Sequence, residues 1–513
     1  MTETLSATLQ SLDDLLRHSA RRAPAAPTLG PRAAAIGFGD LDARVDRIAG
    51  ALLQDGRPGD RVAILGRNSA EQVELLFGIL RAGQTALPIN WRLAEREIDY
   101  ILAHSGATRL FADAALLDTG RAAASGRPLA VHSLDPGAFA AWRDAATPAA
   151  APSTSRDALA LLMYTSGTTG LPKGVMLSHG NVLDSLSIFG EPPLHLGPDD
   201  VVFAPAPMFH ITGIGPVLRA VQTGARLIVA GYFDPHDAVR TMAHEGVTYT
   251  TLAPAMIQAC LASPALVETP PDRLRIIVYG GSPIAPATLD EARARIGCAF
   301  AQCYGLTETT GPVTILTPED HAPGRDLLLS CGRAPAGVEI AVVDAEGRPL
   351  AAGETGEIIV RGPVVMAGYA DDAEATAATV RGDWLHSGDA GYVDAEGYVF
   401  IRDRVKDMIV SGGENIYPVE VEKALVDHPH VADVAVIGIP DAKWGETVLA
   451  LIVPTKSAPD AAAIDAFCRG RIAGYKCPRR IEFVDSIPRN AAGKILRRAL
   501  REPYWNRHER RVG

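Results

Sequence analysis

Apolar residues along most of this chain come in short blocks, and the spacing inside the blocks alternates between two rhythms. "RVAIL" (Arg61–Leu65), "TALPI" (Thr85–Ile89), "ALALLMY" (Ala158–Tyr164), "ARLIVA" (Ala225–Ala230), "VTYTTL" (Val247–Leu252) and "RIIVY" (Arg275–Tyr279) are apolar runs of strand length. Between them lie helical stretches such as "AEQVELLFGILRAG". Ser69 and Gln72 form an S-x-x-Q capping box at its start. Strand, helix, strand in repetition predicts an α/β fold of mostly parallel sheets covered by helices. "AATPAAAPSTS" (Ala145–Ser155) has no periodicity and reads as a connector.

After about Val338 the rhythm changes. "VEIAVVDAEGRPL" and "GYVDAEGYVFI" read as hairpins that turn at Ala-Glu-Gly, a β-rich subdomain. "YPVEVEKALVDHP" then reads as a helix, "ADVAVIGI" as a strand and "DAAAIDAFCRGRIA" as a helix. The tail is therefore expected to be a separate small α+β domain, joined through the polar segment Ile401–Gly413. The expected division is 1–403 and 404–513.

With 513 residues, more than one core is expected. A net charge of −11 disfavours nucleic acid as the main partner. Cys260, Cys298, Cys303, Cys331, Cys468 and Cys477 form no CxxC pair, so neither a zinc site nor a disulfide framework is suggested, and a reducing cytoplasm fits. "MTETLSATLQSLDD" does not read as a secretory signal. The longest apolar runs, Val201–Leu218 and Thr248–Val267, are broken by prolines, which argues against a membrane span.

The chemistry begins with "MYTSGTTGLPKG" (Met163–Gly174). Glycines let backbone N–H groups converge on an anion, hydroxyls donate further bonds, and Lys173 adds a point charge. The spacing departs from the G-x-x-x-x-G-K-[ST] phosphate loop. Composition alone leaves a flexible linker open, but a linker needs no strand before it, and position favours a cradle for phosphates. "YGGSPIAP" (Tyr279–Pro286), "YGLTETT" (Tyr304–Thr310) and "WLHSGDAGY" (Trp384–Tyr392) each place glycines beside an aromatic ring, a hydroxyl or an acid.

Together with "DRVKDMIVSGGENIYPVEVE" and "PRNAAGKILRRAL", these stretches resemble the adenylate-forming enzymes. That family holds acyl- and aryl-CoA synthetases, luciferases and peptide-synthetase adenylation domains. The matches run in the family's order from about residue 160 to 500 and look most like the medium- and long-chain acyl-CoA synthetase branch. The resemblance implies a large N-terminal domain, a small mobile C-terminal domain, and two half-reactions. A carboxylate attacks the α-phosphorus of ATP and releases pyrophosphate; a CoA thiol then attacks the acyl carbon and releases AMP.

Carried over by position, Thr165, Ser166, Gly167, Thr168, Thr169 and Lys173 would hold the β- and γ-phosphates. Tyr304 would face the adenine, with the backbone of Gly281, Ser282 and Pro283 beside the ring. Thr307 would bond the α-phosphate, Glu308 would bind Mg²⁺, and Asp389 and Arg404 would bind the ribose hydroxyls. Lys494 would stabilise charge at the reacting carboxylate and α-phosphate. Lys406 matches the hinge, and Gly412 and Gly413 would leave room for the pantetheine arm. Some relatives carry a second Lys where this chain has Val410, so any thioester-step role for that Lys is absent.

The acyl pocket is expected along "PMFHITGIG", with His210 lining it, Phe209, Ile211, Ile214 and Leu306 making it apolar, and Gly213, Gly215 and Gly305 opening space. No Arg or Lys occurs there, which favours a neutral-tailed fatty acid over a dicarboxylate, with an aryl or ring-bearing acid second. The last twenty residues carry seven basic residues against two acids. They could attract an anionic membrane surface or CoA phosphates, or simply be solvated. Homo-oligomerisation is open. Rival readings are transfer to a carrier-protein thiol and a nucleotide-binding regulator without catalysis. The regulator predicts damage at Glu308, Asp389, Arg404 or Lys494, and all four are present.

Overall fold

The computed structural model describes residues 8–165, 172–190, 194–282, 284–322, 324–325, 327–404, 407–411, 414–441, 444–455, 460–472, 474–489 and 494–509. Internal contacts divide the chain into two units, 1–340 with 360–385, and 341–359 with 386–513. Much of the β-rich stretch after Val338 thus groups with the tail. Lys406 lies outside the described residues.

The first unit holds two large sheets. One runs Gly368–Tyr369, Lys173–Ser178, Leu159–Thr165, Thr85–Ile89, Arg61–Leu65, Arg109–Ala112, Ala130–Ser133. Its last five strands are parallel, while Lys173–Ser178 is antiparallel to both of its neighbours. The other runs Gly311–Leu316, Ala299–Leu306, Ile276–Gly280, Tyr249–Leu252, Val201–Ala204, Arg226–Val229, Pro27–Leu29, Ile36–Gly37, parallel except at its two edges. One core cluster takes Val62, Ala86 and Leu161 from the first sheet and Val202, Leu227 and Ile276 from the second. Near-continuous apolar strands are what a parallel sheet buried on both faces requires.

Helix starts follow the local chemistry, with one difference. Ser69 Oγ accepts the Gln72 N–H at 3.2 Å and caps the helix Ala70–Arg81. Gln72 Oε1 is instead buried without a hydrogen-bond partner, so the box closes in one direction only. At the other end the fully buried Arg81 guanidinium bonds Asp13, Asp42 and Asp46, and so ties three helices together. None of the six cysteines, all of them described, forms a disulfide. Among the described residues no helix is long and apolar enough to cross a membrane.

His179, buried at the start of the helix His179–Ser187, accepts the Leu12 N–H at its Nδ1. Burial holds its pKa down at about 4, against a small opposing pull from Asp14. A depressed histidine contributes stability that is full above its unfolded value near 6.5 and is lost as pH falls toward 4. The loss reaches about 3 kcal/mol. The urea midpoint should therefore drop between pH 7 and pH 4.5, and His179→Gln should flatten that drop. An unchanged slope in the variant would assign the acid sensitivity to other groups.

In the second unit, Glu414–Ile416, Ile409–Ser411, Gly445–Pro454 and Val431–Asp441 form an antiparallel sheet, and Arg480–Phe483 adds in parallel to Gly445–Pro454. The helices Pro418–Val426 and Ala461–Arg469 share its core through Val421, Leu425, Ile464 and Cys468. Both expected hairpins form. Asp344 and Arg348 close the first, and Asp394 and Tyr398 close the second.

Candidate active site

The Ser/Thr/Gly segment joins two antiparallel strands. Leu159–Thr165 pairs with Lys173–Ser178, and Thr165 stands opposite Lys173. Ser166, Gly167, Thr168 and Thr169 lie outside the described residues. Behind the hairpin, the Tyr164 hydroxyl hydrogen bonds His104 Nδ1 at 2.7 Å. In front, Lys173 Nζ lies 3.8 Å from the Asp372 carboxylate and 5.0 Å from the centre of the Tyr369 ring.

"YGLTETT" ends the strand Ala299–Leu306 in a single 3₁₀ turn, Thr307–Thr309. The buried Thr309 and Thr310 hold the turn in place. Thr309 Oγ1 accepts the Leu306 N–H and donates to Gly311 O, and Thr310 Oγ1 donates to Val364 O at 2.6 Å. Thr310 is left-handed at φ 55°. The half-buried Thr307 and Glu308 remain for chemistry. Tyr369 donates its hydroxyl hydrogen to Glu308 Oε1 at 2.9 Å. Burial, and then the Glu308 charge, push the Tyr369 phenol upward, so it stays a proton donor.

This arrangement suits a hard dication. One Glu308 oxygen is fixed by a neutral donor, and the described residues gather no cluster of three or more metal-binding side chains. One carboxylate beside an anion cradle fits a metal bound largely through substrate phosphates, with Glu308 as the protein ligand.

Tyr304, half-buried, packs against a small cluster formed by Val313, Val338, Val360 and Val364. The neighbouring strand Ile276–Gly280 runs parallel to it, and Gly280 pairs with Cys303. Gly281 follows in the left-handed region at φ 83°, and nothing lies within 4 Å of where its Cβ would stand. That open backbone is where a flat ring can approach. Ser282 is exposed, and Pro283 lies outside the described residues.

The acyl segment corrects several expectations. Asn68 pins it by donating to Ala206 O at 2.8 Å and accepting the Met208 N–H at 2.9 Å. Phe209 is buried and its ring centre lies 4.5 Å from that of His210. Gly213 and Gly305 open no space: a Cβ on Gly213 would collide with the Pro207 carbonyl, and one on Gly305 with the Gly311 carbonyl. Both are glycines because two backbones meet there. Gly215 does face open space. Ile214 is 1% exposed in the main core, and Ile211 packs against that core. Leu306 is half-buried.

The segment itself holds no Arg or Lys, but the exposed Arg92 approaches it from elsewhere in the chain. Arg92 lies with its guanidinium 5.8 Å from the Phe209 ring centre and 4.8 Å from that of Trp91, which Arg67 also approaches, at 5.3 Å. His210 is held down at about 4 by burial first and Arg92 second, so it is neutral at physiological pH. Arg92 is more than a hundred positions from Phe209, and no local signal in the sequence connects the two.

In the second unit, Asp389 is buried and stands opposite Arg404 across antiparallel strands. Ser387 Oγ accepts the Asp389 N–H at 3.0 Å and donates to Ile358 O at 2.6 Å. Lys494 is exposed. Its segment is tied at both ends: Arg489 bonds both Asp433 oxygens at 2.7 and 2.9 Å, and the buried Arg497 bonds both Glu422 oxygens at 2.8 and 2.7 Å. Ser411 pairs with Glu414, and Gly412 and Gly413 between them lie outside the described residues.

Fold and sequence pattern together define a nucleotide-dependent ligase. Residues 16–370 match the family model of the AMP-binding enzymes, and residues 420–494 match that of the AMP-binding enzyme C-terminal domain. The chain belongs to this family and is an AMP-forming acid–thiol ligase. ATP, Mg²⁺ and CoA are the family's reactants and cofactor. It is 38% identical over 511 residues to a fatty acid–[acyl-carrier-protein] ligase of Streptomyces coeruleorubidus, covering 98% of each chain. It is 40% identical over 489 residues to a feruloyl-CoA synthase of an Amycolatopsis species, covering 94% of this chain and 97% of the other. Its fold is similar to that of o-succinylbenzoate coenzyme A synthetase of Bacillus subtilis in complex with ATP and magnesium ion. The TM-score is 0.84 at 32% identity, over 95% of this chain and 98% of that one.

Proposed function

We propose that the protein activates a medium- or long-chain fatty acid as its acyl-adenylate and then forms the acyl-CoA thioester. The observation that carries the ligase reading is that one ring, Tyr369, contacts both Lys173, over its face, and Glu308, at its hydroxyl. In this reading Thr165, Ser166, Gly167, Thr168, Thr169 and Lys173 bind the β- and γ-phosphates and Thr307 bonds the α-phosphate. Tyr304, Gly281, Ser282 and Pro283 bind adenine, and Asp389 with Arg404 binds ribose. The acid's oxygen forms the new P–O bond as pyrophosphate leaves, and Lys494 stabilises the charge that builds there. Rotation near Lys406 then brings Gly412 and Gly413 to the site, where the thiol displaces AMP. Bound Mg²⁺, held by Glu308, neutralises phosphate charge.

The substrate class rests on the apolar side chains Phe209, Ile211 and Leu306 and on the lack of Arg or Lys in their own segments. A second reading, favoured by Arg92 beside Phe209 and His210, is a ring-bearing acid with a polar or anionic far end. Feruloyl and succinylbenzoate ligases among the relatives act on ring-bearing acids, in keeping with it. Pyrophosphate release across straight-chain, aryl and dicarboxylic acids, with CoA, with a holo carrier protein and with neither, separates these. Release that depends on a straight-chain acid, with CoA consumed, supports the first reading. Arg92→Gln should then leave kcat/KM for straight-chain acids within about threefold. A loss of tenfold or more confined to acids with a charged far end would support the second. Acid-dependent release without CoA consumption would point to the carrier protein. No turnover with any acid would favour a regulator.

A further inference from the structure

The segment Gly368–Asp372 carries no motif used above, yet it touches both sides of the phosphate site. Gly368 and Tyr369 pair as an edge strand with Met176 and Val175, on the strand that begins at Lys173. Gly368 sits at φ 141° with Thr376 close behind it, and Asp371 is left-handed at φ 52°, an uncommon conformation for a residue with a Cβ. Three bonds hold this course. Tyr369 N donates to Thr376 Oγ1 at 2.8 Å, Thr376 Oγ1 donates to Asp372 O at 2.8 Å, and Asp372 Oδ1 accepts the Ala375 N–H at 2.8 Å.

The result is a fixed aromatic ring with one charged neighbour over its face and another at its hydroxyl. Its hydroxyl donates to Glu308 Oε1 at 2.9 Å. Its face lies 5.0 Å from Lys173 Nζ, whose other neighbour is the Asp372 carboxylate at 3.8 Å. A cation over a ring face and a hydroxyl bond at the ring's edge are both directional contacts.

We infer that Tyr369 is a positioning residue for the phosphate site: it orients the Glu308 carboxylate and supports Lys173, so that metal-binding and phosphate-binding side chains keep one spacing. The inference rests on the proposed role of Glu308. Tyr369→Phe keeps the ring under Lys173 and removes only the bond to Glu308. Calorimetry of ATP binding should show affinity for ATP with Mg²⁺ falling between about 10- and 100-fold, the range for a lost bond to a charged group. Affinity for ATP in EDTA should stay within about twofold. The Mg²⁺ concentration for half-maximal adenylate formation should rise in parallel. Equal weakening with and without Mg²⁺, or no change in either, overturns the inference.

If Tyr369→Phe does not fold, Thr376→Val makes the test from the backbone side by releasing the bond that fixes Tyr369 N, with the same direction expected. Glu308→Gln separates the two levels. If Glu308→Gln leaves the Mg²⁺ dependence unaltered, the metal role of Glu308 is wrong. If it changes that dependence and Tyr369→Phe does not, only the positioning role is wrong.

Discussion

Lys494→Ala is expected to lower acyl-adenylate formation by a factor on the order of 10²–10³, the usual consequence of removing one preorganised charge-stabilising group. Thioester formation from supplied acyl-adenylate should survive. The asymmetry follows from where charge develops. In the first step negative charge gathers on the oxygens around the α-phosphorus as the P–O bond forms, and an ammonium there favours the transition state over the ground state. In the second step the phosphate ester is already made and leaves with AMP. Lys494 is exposed, so the substitution removes no core contact. The ion pairs Arg489–Asp433 and Arg497–Glu422 on either side of it are untouched. Rapid-quench assays of the two half-reactions make the measurement, and equal loss in both would mean that Lys494 is not the adenylation lysine.

Local signals in the chain were legible wherever one segment carries its own reason for folding. The strands Arg61–Leu65 and Thr85–Ile89 lie where their apolar runs lie, because a buried strand must be apolar throughout. The Ser69 cap formed because its partner is three residues away. Its reciprocal half did not, since Gln72 is drawn into the core by the neighbours its helix packs against. Gly213 and Gly305 show the same limit. That a glycine is needed is readable, but whether it makes room or lets two backbones meet depends on Pro207 and Gly311 across the fold.

Contacts between distant segments stayed hidden. Arg92, exposed in a turn, approaches Phe209 and His210 from outside the acyl segment, which by itself holds no cation. Tyr369 meets Glu308 from 61 positions away. Neither residue belongs to a phosphate-like or acid-rich pattern, and an isolated Arg or Tyr in a sequence is most often an ordinary surface or core residue. Topology gives them meaning: an edge strand antiparallel to the Lys173 strand carries Tyr369 to the end of the strand that presents Glu308.

Glu308→Gln should produce a loss of similar rank to that of Lys494→Ala but with a different signature. The amide keeps the size of the side chain and still accepts the Tyr369 hydroxyl through its oxygen, so the turn held by Thr309 and Thr310 is retained. What goes is the negative charge, and a hard dication held by one protein carboxylate depends on that charge. Even the outer partners of metal ligands cost 10- to 100-fold on mutation, so loss of the ligand's charge should lower adenylate formation by at least about a hundredfold. Raising Mg²⁺ should recover part of that loss, because weaker binding can be compensated by mass action. The same titration should leave Lys494→Ala unmoved, since a missing ammonium has no such remedy. Two variants with equal loss at low Mg²⁺ and divergent behaviour at high Mg²⁺ would place metal binding and charge stabilisation on different residues. Parallel curves would mean that Glu308 serves the phosphate site without binding the metal.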